Sequence, residues 1–360
     1  MKGHILAIAE KWQVTIISSP DDAGLLSDLD AQFIPLSIER KASPLRDLLA
    51  LVHMVILFRR EHFDLVHSIM PKTGLLTMLA GWLTRVPVRI HTFTGQVWAT
   101  KQGWKRSALK LFDRLIVLFA THVLVDSPSQ RDFLVSEGVL PQGKGMVIGR
   151  GSICGVDTQQ FSPNTKARDL VRKELGIGLK QTVILFLGRL NRDKGILDLA
   201  AAFADIASRG NDVVLVLVGA EEDVPFSRVQ EICGVHCERL CRVSFTPEPE
   251  RYMAATDIFC LPSYREGFGQ VIIEAAASGV PTVASRIYGI TDALEDGRTG
   301  LLFPVGDVSA LVQALLKLIG DDELRRQMGA AASARALALF SSEKNTKEML
   351  ALYGELLCRR

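Results

Sequence analysis

Residues 213–219 read VVLVLVG: six consecutive apolar side chains, four of them β-branched, ending on glycine. A strand with one wet face alternates apolar and polar positions. A run that is apolar at every position is covered on both faces, as in a parallel sheet between helical layers. The flanking sequence repeats the pattern at intervals. Strands are expected at Val183–Leu187, Arg242–Phe245, Ile258–Leu261, Thr282–Ala284 and Gly300–Phe303, with helical periodicity between them. An earlier series runs Val14–Ser18, Phe33–Leu36, Leu65–His67, Val88–His91, His122–Val125 and Gly145–Ile148. Its helices include Pro44–Arg60, with Ser43 as cap and proline in the first turn, and Pro71–Thr84. Strand–helix alternation of this kind makes an α/β protein of parallel sheets.

Two such series exceed one core, and 360 residues suffice for two domains. The break falls in Gly149–Pro163, GRGSICGVDTQQFSP, which is rich in Gly and Ser and has neither period. The expected domains are 1–155 and 156–342, with amphipathic helices at Glu323–Leu339 and Glu343–Leu357 closing the chain. One feature departs from the scheme. The chain opens with a helix, Lys2–Lys11, and only then a strand, where a sheet of this type begins with a strand.

The formal net charge of +2 gives no reason to expect nucleic-acid binding. The charge is uneven: residues 1–160 carry 18 bases and 14 acids (+4), the remainder 24 and 26 (−2). Between Arg85 and Arg114 lie seven bases, the single acid Asp113, and Trp98 and Trp104. That mixture suits an anionic membrane surface, and the alternative is a solvated helix face. The longest apolar runs, near Leu48–Phe58 and Leu115–Val125, fall short of the roughly 18–20 residues that cross a bilayer. Met1-Lys2 leads into a helical pattern containing Glu10, without a cleavage site. The expectation is a cytoplasmic protein, peripheral on the inner face of the cytoplasmic membrane. Cys233, Cys237 and Cys241, with His236, match no zinc spacing. Cys233 and Cys237 sit one helical turn apart and are expected to share a core-facing stripe as structural thiols.

Two stations carry chemistry. The first is Arg265–Gly279, REGFGQVIIEAAASG. On one continuous helix Glu266 and Glu274 would lie about 80° apart. Gly267-Phe268-Gly269 breaks the helix between them, leaving Glu266 in a loop and Glu274 in the first two turns. A bare helix N-terminus there attracts anions, phosphate above all. Carboxylates repel phosphate, so the two acids are expected to accept hydrogen bonds from sugar or ribose hydroxyls. The second station, Gly188–Gly195, GRLNRDKG, follows the strand Val183–Leu187. Strand C-terminal ends are where open α/β sheets bind ligands, and Arg189 and Lys194 stand ready to neutralise a diphosphate.

GRLNRDKG, LPSYREGFGQVIIEAAASGVPTVAS and DGRTGLLFPVGD closely resemble the C-terminal domain of glycosyltransferase family 4, retaining enzymes of the GT-B fold. The two glutamates match the family's E-x7-E motif. The resemblance extends to GVDTQQFSP, FDLVHSIMPKTGLLTMLAG and RIHTFTG, and so to essentially the whole chain. It implies two Rossmann-like domains facing a cleft, with the final helix packed back on the first. Arg189 and Lys194, together with Gly188, would then hold the donor diphosphate. Glu266 and the backbone of Gly267, Phe268 and Gly269 would hold the transferred sugar, and Glu274 the ribose. His91 would line the cleft from the acceptor side, with a locally hydrogen-bonded structural role as its alternative. The resemblance implies front-face displacement with retention, no metal, and no cofactor beyond a nucleotide-sugar co-substrate, expected to be a UDP-sugar. It also implies that a first strand and its glycine-rich loop are missing, so that Val14–Ile17 would lack a parallel neighbour.

GSICGVDTQQFSP and HTFTGQVWATKQGWKR look most like members that build bacterial surface polysaccharides. The expected donor is a UDP-hexose or UDP-N-acetylhexosamine, and the expected acceptor a polyprenyl-diphosphate-linked saccharide. Two rival readings stand beside this one. The first is a donor-binding, catalytically impaired partner in a polysaccharide assembly complex, disabled by the missing strand. The second is a GT-B relative that epimerises nucleotide sugars, which the E-x7-E motif disfavours.

Overall fold

The computed structural model describes residues 2–22, 24, 29–38, 43–178 and 180–358. The chain forms two compact units, Met1–Gly149 with Ser342–Arg360, and Arg150–Ser341. The sequence puts the division at 155/156; here it falls where GRGSICGVDTQQFSP begins. Val156 and Phe161 of that stretch are core residues of the second unit, and the Val156 amide donates to Phe340 O at 2.7 Å.

Every strand pairing among the described residues is parallel. The second unit is one six-stranded sheet of β7 (Thr182–Leu187), β8 (Val213–Val218), β9 (Leu240–Val243), β10 (Ile258–Leu261), β11 (Thr282–Ser285) and β12 (Gly300–Phe303), in the order β12-β11-β10-β7-β8-β9. All six residues of β8 are buried, as their unbroken apolar run requires. Ile184, Leu215 and Leu217 face one core and Val183, Leu185 and Val216 the other, so helices cover both faces. The edge strand β9 lies two residues earlier than expected, because Leu240 pairs with Leu215 and leaves Phe245 beyond the sheet and exposed.

The first unit holds two ladders. β1 (Thr15–Ser18) pairs with β2 (Gln32–Pro35), while β3 (Leu65–Ser68), β4 (Val88–Phe93), β5 (His122–Val125) and β6 (Met146–Val147) form a separate four-stranded sheet. Among the described residues no ladder joins β1 to β3. The second unit shows what would lie between them: β7 sits between β8 and β10, and the helix Ile196–Ser208 leads from it into β8. In the first unit the helix Lys2–Ala9 leads into β1 in the same way, with no counterpart of β7 among the described residues. The physical consequence is visible in burial. No residue of β1 is fully buried and only alternate residues of β3 are, in contrast to β8.

Three helices, Pro44–Glu61, Pro71–Leu83 and Gly103–Phe119, cover one face of the four-stranded sheet around Met54, Phe58, Met78 and Ile116. Ser43 caps the first by position only. Its hydroxyl makes no cap bond, and the Asp47 carboxylate instead accepts from the Ser43 amide at 3.1 Å. The final helix, Ser342–Cys358, covers the opposite face, packing Met349, Tyr353 and Leu356 on Val88, Ile90 and Leu124. Tyr353 hydroxyl and His67 Nδ1 lie 2.5 Å apart, and His67 Nε2 is 2.7 Å from Thr92 Oγ1. Burial pushes His67 down to about 4, so this tie is made by a neutral imidazole.

Candidate nucleotide-sugar site

The loop after β10 meets the loop after β7 at one glycine and the loop after β11 at another, each glycine removing a side chain from the contact. Gly195 has φ +69, and a Cβ there would stand 2.0 Å from the carbonyl oxygen of Pro262. Gly289, at φ +80, would put a Cβ 2.5 Å from Gly267 O. Only glycine allows either approach. The result is a direct pair: Lys194 Nζ donates to Glu266 Oε1 at 2.5 Å, and Ser263 Oγ donates to the same oxygen at 2.8 Å. Asn191 holds the loop by accepting from the Lys194 amide at 2.8 Å. The structure thus joins two sequence-derived residues, Lys194 and Glu266, in an ion pair rather than leaving the acid to neutral hydroxyls alone.

Arg189 follows Gly188 at the end of β7 and pairs with Glu222, and Asn191 Nδ2 donates to the other Glu222 oxygen at 2.5 Å. Glu222 escaped the sequence reading. Its signal was its place, just past the C-terminal end of β8, where the strand-end rule applies as it does to Arg189. Asp193 and Ser263 were missed too. Asp193 lies inside GRLNRDKG, where its carboxylate accepts from Arg265 Nε at 2.8 Å and its carbonyl from the Tyr264 amide at 2.8 Å.

The helix Gln270–Ala277 begins at Gly269, φ +77, with no side-chain cap. Gln270 is instead turned back on the start of its own unit, donating to Gly155 O at 2.7 Å and accepting from Ser152 Oγ at 2.6 Å. Phe268 contributes backbone only, since its ring is buried edge-on against Phe340 with centroids 5.3 Å apart. Glu274, one turn further along, is half-buried. Burial pushes it up to about 7, with a Gln270 hydrogen bond pulling the other way. The two glutamates therefore occupy different surroundings: one matched by a cation, the other desolvated.

His91 has no accessible surface. Its Nδ1 lies 2.8 Å from Ser68 Oγ, its ring meets Phe93 at 4.6 Å between centroids, and its Nε2 has no hydrogen-bond partner among the described residues. Burial lowers it to about 3, so it is neutral. This geometry fits the structural alternative for His91.

The basic 85–114 segment divides. Trp98 is buried, stacked on Phe133 and donating to Asp113 at 2.7 Å. Arg106 and Lys110 both serve Glu137, at 2.6 and 2.7 Å, and Arg89 donates to the carbonyls of Phe119 and Val86. Trp104, Lys101 and Lys105 face outward. Part of the segment expected to face a membrane is therefore buried or tied to neighbouring groups of the protein. Cys233 and Cys237 pack on one cluster, as expected, but not from one helix: Cys233 ends Phe226–Cys233 and Cys237 lies in the following 3-10 turn. Among the described residues no three His, Cys, Asp or Glu side chains converge on a metal geometry, and no helix is long and apolar enough to cross a membrane.

Comparison with known proteins agrees with this architecture. Residues 6–151 match the family described as glycosyl transferase 4-like domain and residues 167–335 that of glycosyl transferases group 1. The capsular polysaccharide biosynthesis glycosyltransferase CapM of Staphylococcus aureus is 30% identical, the alignment covering 99% of this chain and 94% of that protein. An Escherichia coli enzyme, UDP-Gal:alpha-D-GlcNAc-diphosphoundecaprenol alpha-1,3-galactosyltransferase, is 26% identical over 98% of this chain and 91% of its own. Among solved structures, sucrose-phosphate synthase of Thermosynechococcus elongatus superposes with a TM-score of 0.81 at 26% identity, covering 99% of this chain and 92% of that one. The chain belongs to the GT-B glycosyltransferases, its first domain of the 4-like type and its second of group 1.

Proposed function

We propose that the protein is a retaining family 4 glycosyltransferase of bacterial surface-polysaccharide synthesis. It transfers a hexose or N-acetylhexosamine from a UDP-sugar to a polyprenyl-diphosphate-linked saccharide, in the cytoplasm at the anionic inner face of the membrane. The observation that carries the reading is the Lys194–Glu266 pair beside the uncapped helix Gln270–Ala277, at strand C-terminal ends. The names of CapM and of the undecaprenol-linked galactosyltransferase support the substrate class.

In the reaction the acceptor hydroxyl oxygen bonds to the anomeric carbon on the face that the diphosphate leaves. The carbon–oxygen bond to the diphosphate breaks, and the acceptor proton passes to the departing diphosphate oxygen. Arg189 and Lys194 stabilise the charge that develops there, with the Gly188 backbone beside them. Glu266 and the Gly267–Gly269 amides hold the sugar, Glu274 takes the ribose hydroxyls, and buried His91 positions β4 through Ser68. The test is mass spectrometry and anomeric NMR of products from a panel of UDP-sugars with a diphosphoprenyl-GlcNAc acceptor. An α-linked product from an α-donor supports the reading; an inverted linkage, or transfer only from donors lacking UDP, overturns it. Glu274→Ala is expected to weaken UDP binding and Arg189→Ala to slow transfer.

A further inference from the structure

The apolar run near Leu48–Phe58 looks, by sequence, like an interior helix, and the structure turns half of it outward. On the helix Pro44–Glu61, Ala50, Met54 and Phe58 are buried, whereas Leu45 is 78% exposed, Leu48 and Leu49 58%, Val52 46% and Ile56 59%. At about 100° per residue, Leu45, Leu49, Val52 and Ile56 fall within an arc of about 60°. This is an unbroken stripe along the outward face, where a helix of a water-soluble domain ordinarily carries charge. The acid of its first turn is on the wrong side to restore that: Asp47 is turned inward to Lys72 at 2.6 Å. Arg46, Arg59 and Arg60 are the charged residues bordering the stripe, and Arg60 is matched by Glu61.

The helix Gly103–Phe119 repeats the arrangement. Trp104, Leu111 and Leu118 are 76%, 52% and 70% exposed at seven-residue steps, and its one acid, Asp113, is buried on Trp98. Lys101 and Lys105 stand at its start, neither within ion-pair distance of a carboxylate among the described residues. Both helices pack against Pro71–Leu83, on the same face of the four-stranded sheet.

We infer that the outward face of Pro44–Glu61, continued by Gly103–Phe119, is the surface by which the protein rests on an anionic lipid bilayer. Aliphatic and tryptophan side chains enter the headgroup boundary while flanking bases meet lipid phosphates, the chemistry of an interfacial amphipathic helix. A second copy of the chain is the poorer occupant. Pairing this face with itself would gather the bases of both copies, Arg59 and Lys105 among them, around one apolar contact whose stripe carries no acid to match them. The inference deepens the proposed function and rests on its lipid-bound acceptor for its purpose.

The test is co-sedimentation with phosphatidylcholine vesicles, with and without phosphatidylglycerol, for the full chain, for Leu49→Glu/Ile56→Glu, and for Val235→Glu as an exposed control on the second unit. The unaltered protein should partition to the anionic vesicles and be released by salt. The double variant should partition at least tenfold less, and the control like the unaltered protein. Equal partition of the double variant, or binding indifferent to phosphatidylglycerol and salt, overturns the inference. So does a dimer in light scattering that the double variant dissociates without any vesicle binding. Transfer to a short-chain, water-soluble acceptor is measured in parallel. Intact transfer with lost vesicle binding upholds both readings, whereas vesicle binding without transfer from any UDP-sugar removes the proposed function and leaves this surface standing.

Discussion

Replacing Glu274 by glutamine separates what this acid costs the fold from what it does for a ligand. Its carboxyl titrates at about 7 instead of the ordinary 4.5, raised chiefly by burial. A carboxyl raised in the folded state stabilises relative to a normal one below pH 4.5 and loses that contribution as pH climbs through 7. The loss is 7 minus 4.5, or 2.5 pH units, about 3 kcal/mol at 1.36 kcal/mol per unit. This is an upper figure, because the residue keeps some accessible surface. Glutamine is neutral throughout, so Glu274→Gln should match the parent near pH 4.5 and exceed it by up to about 3 kcal/mol at pH 8. The stability gain should come with weaker UDP binding. Tryptophan emission is the wrong probe, since Trp12, Trp82, Trp98 and Trp104 all belong to the first unit. Pulse proteolysis in urea, read on peptides from residues 182–303 at several pH values, reports the second. A difference between the two proteins that is constant with pH, or a variant less stable at pH 8, would refute the account of a desolvated carboxyl.

Gly195→Ala would place a Cβ 2.0 Å from Pro262 O at a left-handed φ, so the two loops must separate. UDP affinity is expected to fall more than tenfold, and calorimetry showing unchanged affinity would dissolve the claim that this contact assembles the site. Glu222→Gln releases Arg189 from a half-exposed pair worth about 0.2–1 kcal/mol. If Arg189 meets the diphosphate, UDP should bind up to about fivefold more tightly; no change would mean Arg189 stays clear of the nucleotide. Gly74→Ala sets a methyl 2.4 Å from His91 Cε1, inside a core with no room to yield. It should destabilise the first unit by about 1–3 kcal/mol in a urea titration followed by tryptophan emission, and an unshifted midpoint would show the histidine to be mobile.

Strand positions were legible because parallel, doubly covered strands have no polar face to blur them: β8 and β10 fall where their apolar runs do. β9 was misplaced by two residues because an edge strand is held by pairing on one side only, and the apolar Phe245 beyond it mimics a continuation. The cations and acids of GRLNRDKG and REGFGQ were legible from their places at strand ends. Their partners were not, because Lys194 and Glu266 meet across 72 residues through a glycine contact that leaves no local pattern. The outward face of Pro44–Glu61 was hidden for a related reason. Apolar residues on both sides of a helix read as burial, and only the packing shows which side is left bare. Trp98 misleads in the opposite sense: among bases it looks like a surface anchor, yet its ring is buried in the core, with the half-buried Arg106 and Lys110 over it at 5.4 and 5.3 Å.

The pairs at the strand ends of the second unit have a common consequence. Arg189 is matched by Glu222, Lys194 by Glu266 and Arg265 by Asp193, three cations against three acids. A cluster of unmatched cations would hold any phosphate that drifted in. A charge-balanced one attracts a dianion only when the anion makes better hydrogen bonds than the carboxylates it displaces. Selectivity then comes from geometry, with the helix N-terminus at Gly269 supplying the fixed positive end that no side chain neutralises by capping. Glu274 fits the same economy of charge. Titrating at about 7, it is close to half-protonated at neutral pH, so it opposes an incoming diphosphate less than an ordinary carboxylate would while still offering an acceptor to a hydroxyl. On this account UDP should compete far better than inorganic pyrophosphate for the site, because the nucleoside and not the charge is what the balanced arrangement rewards.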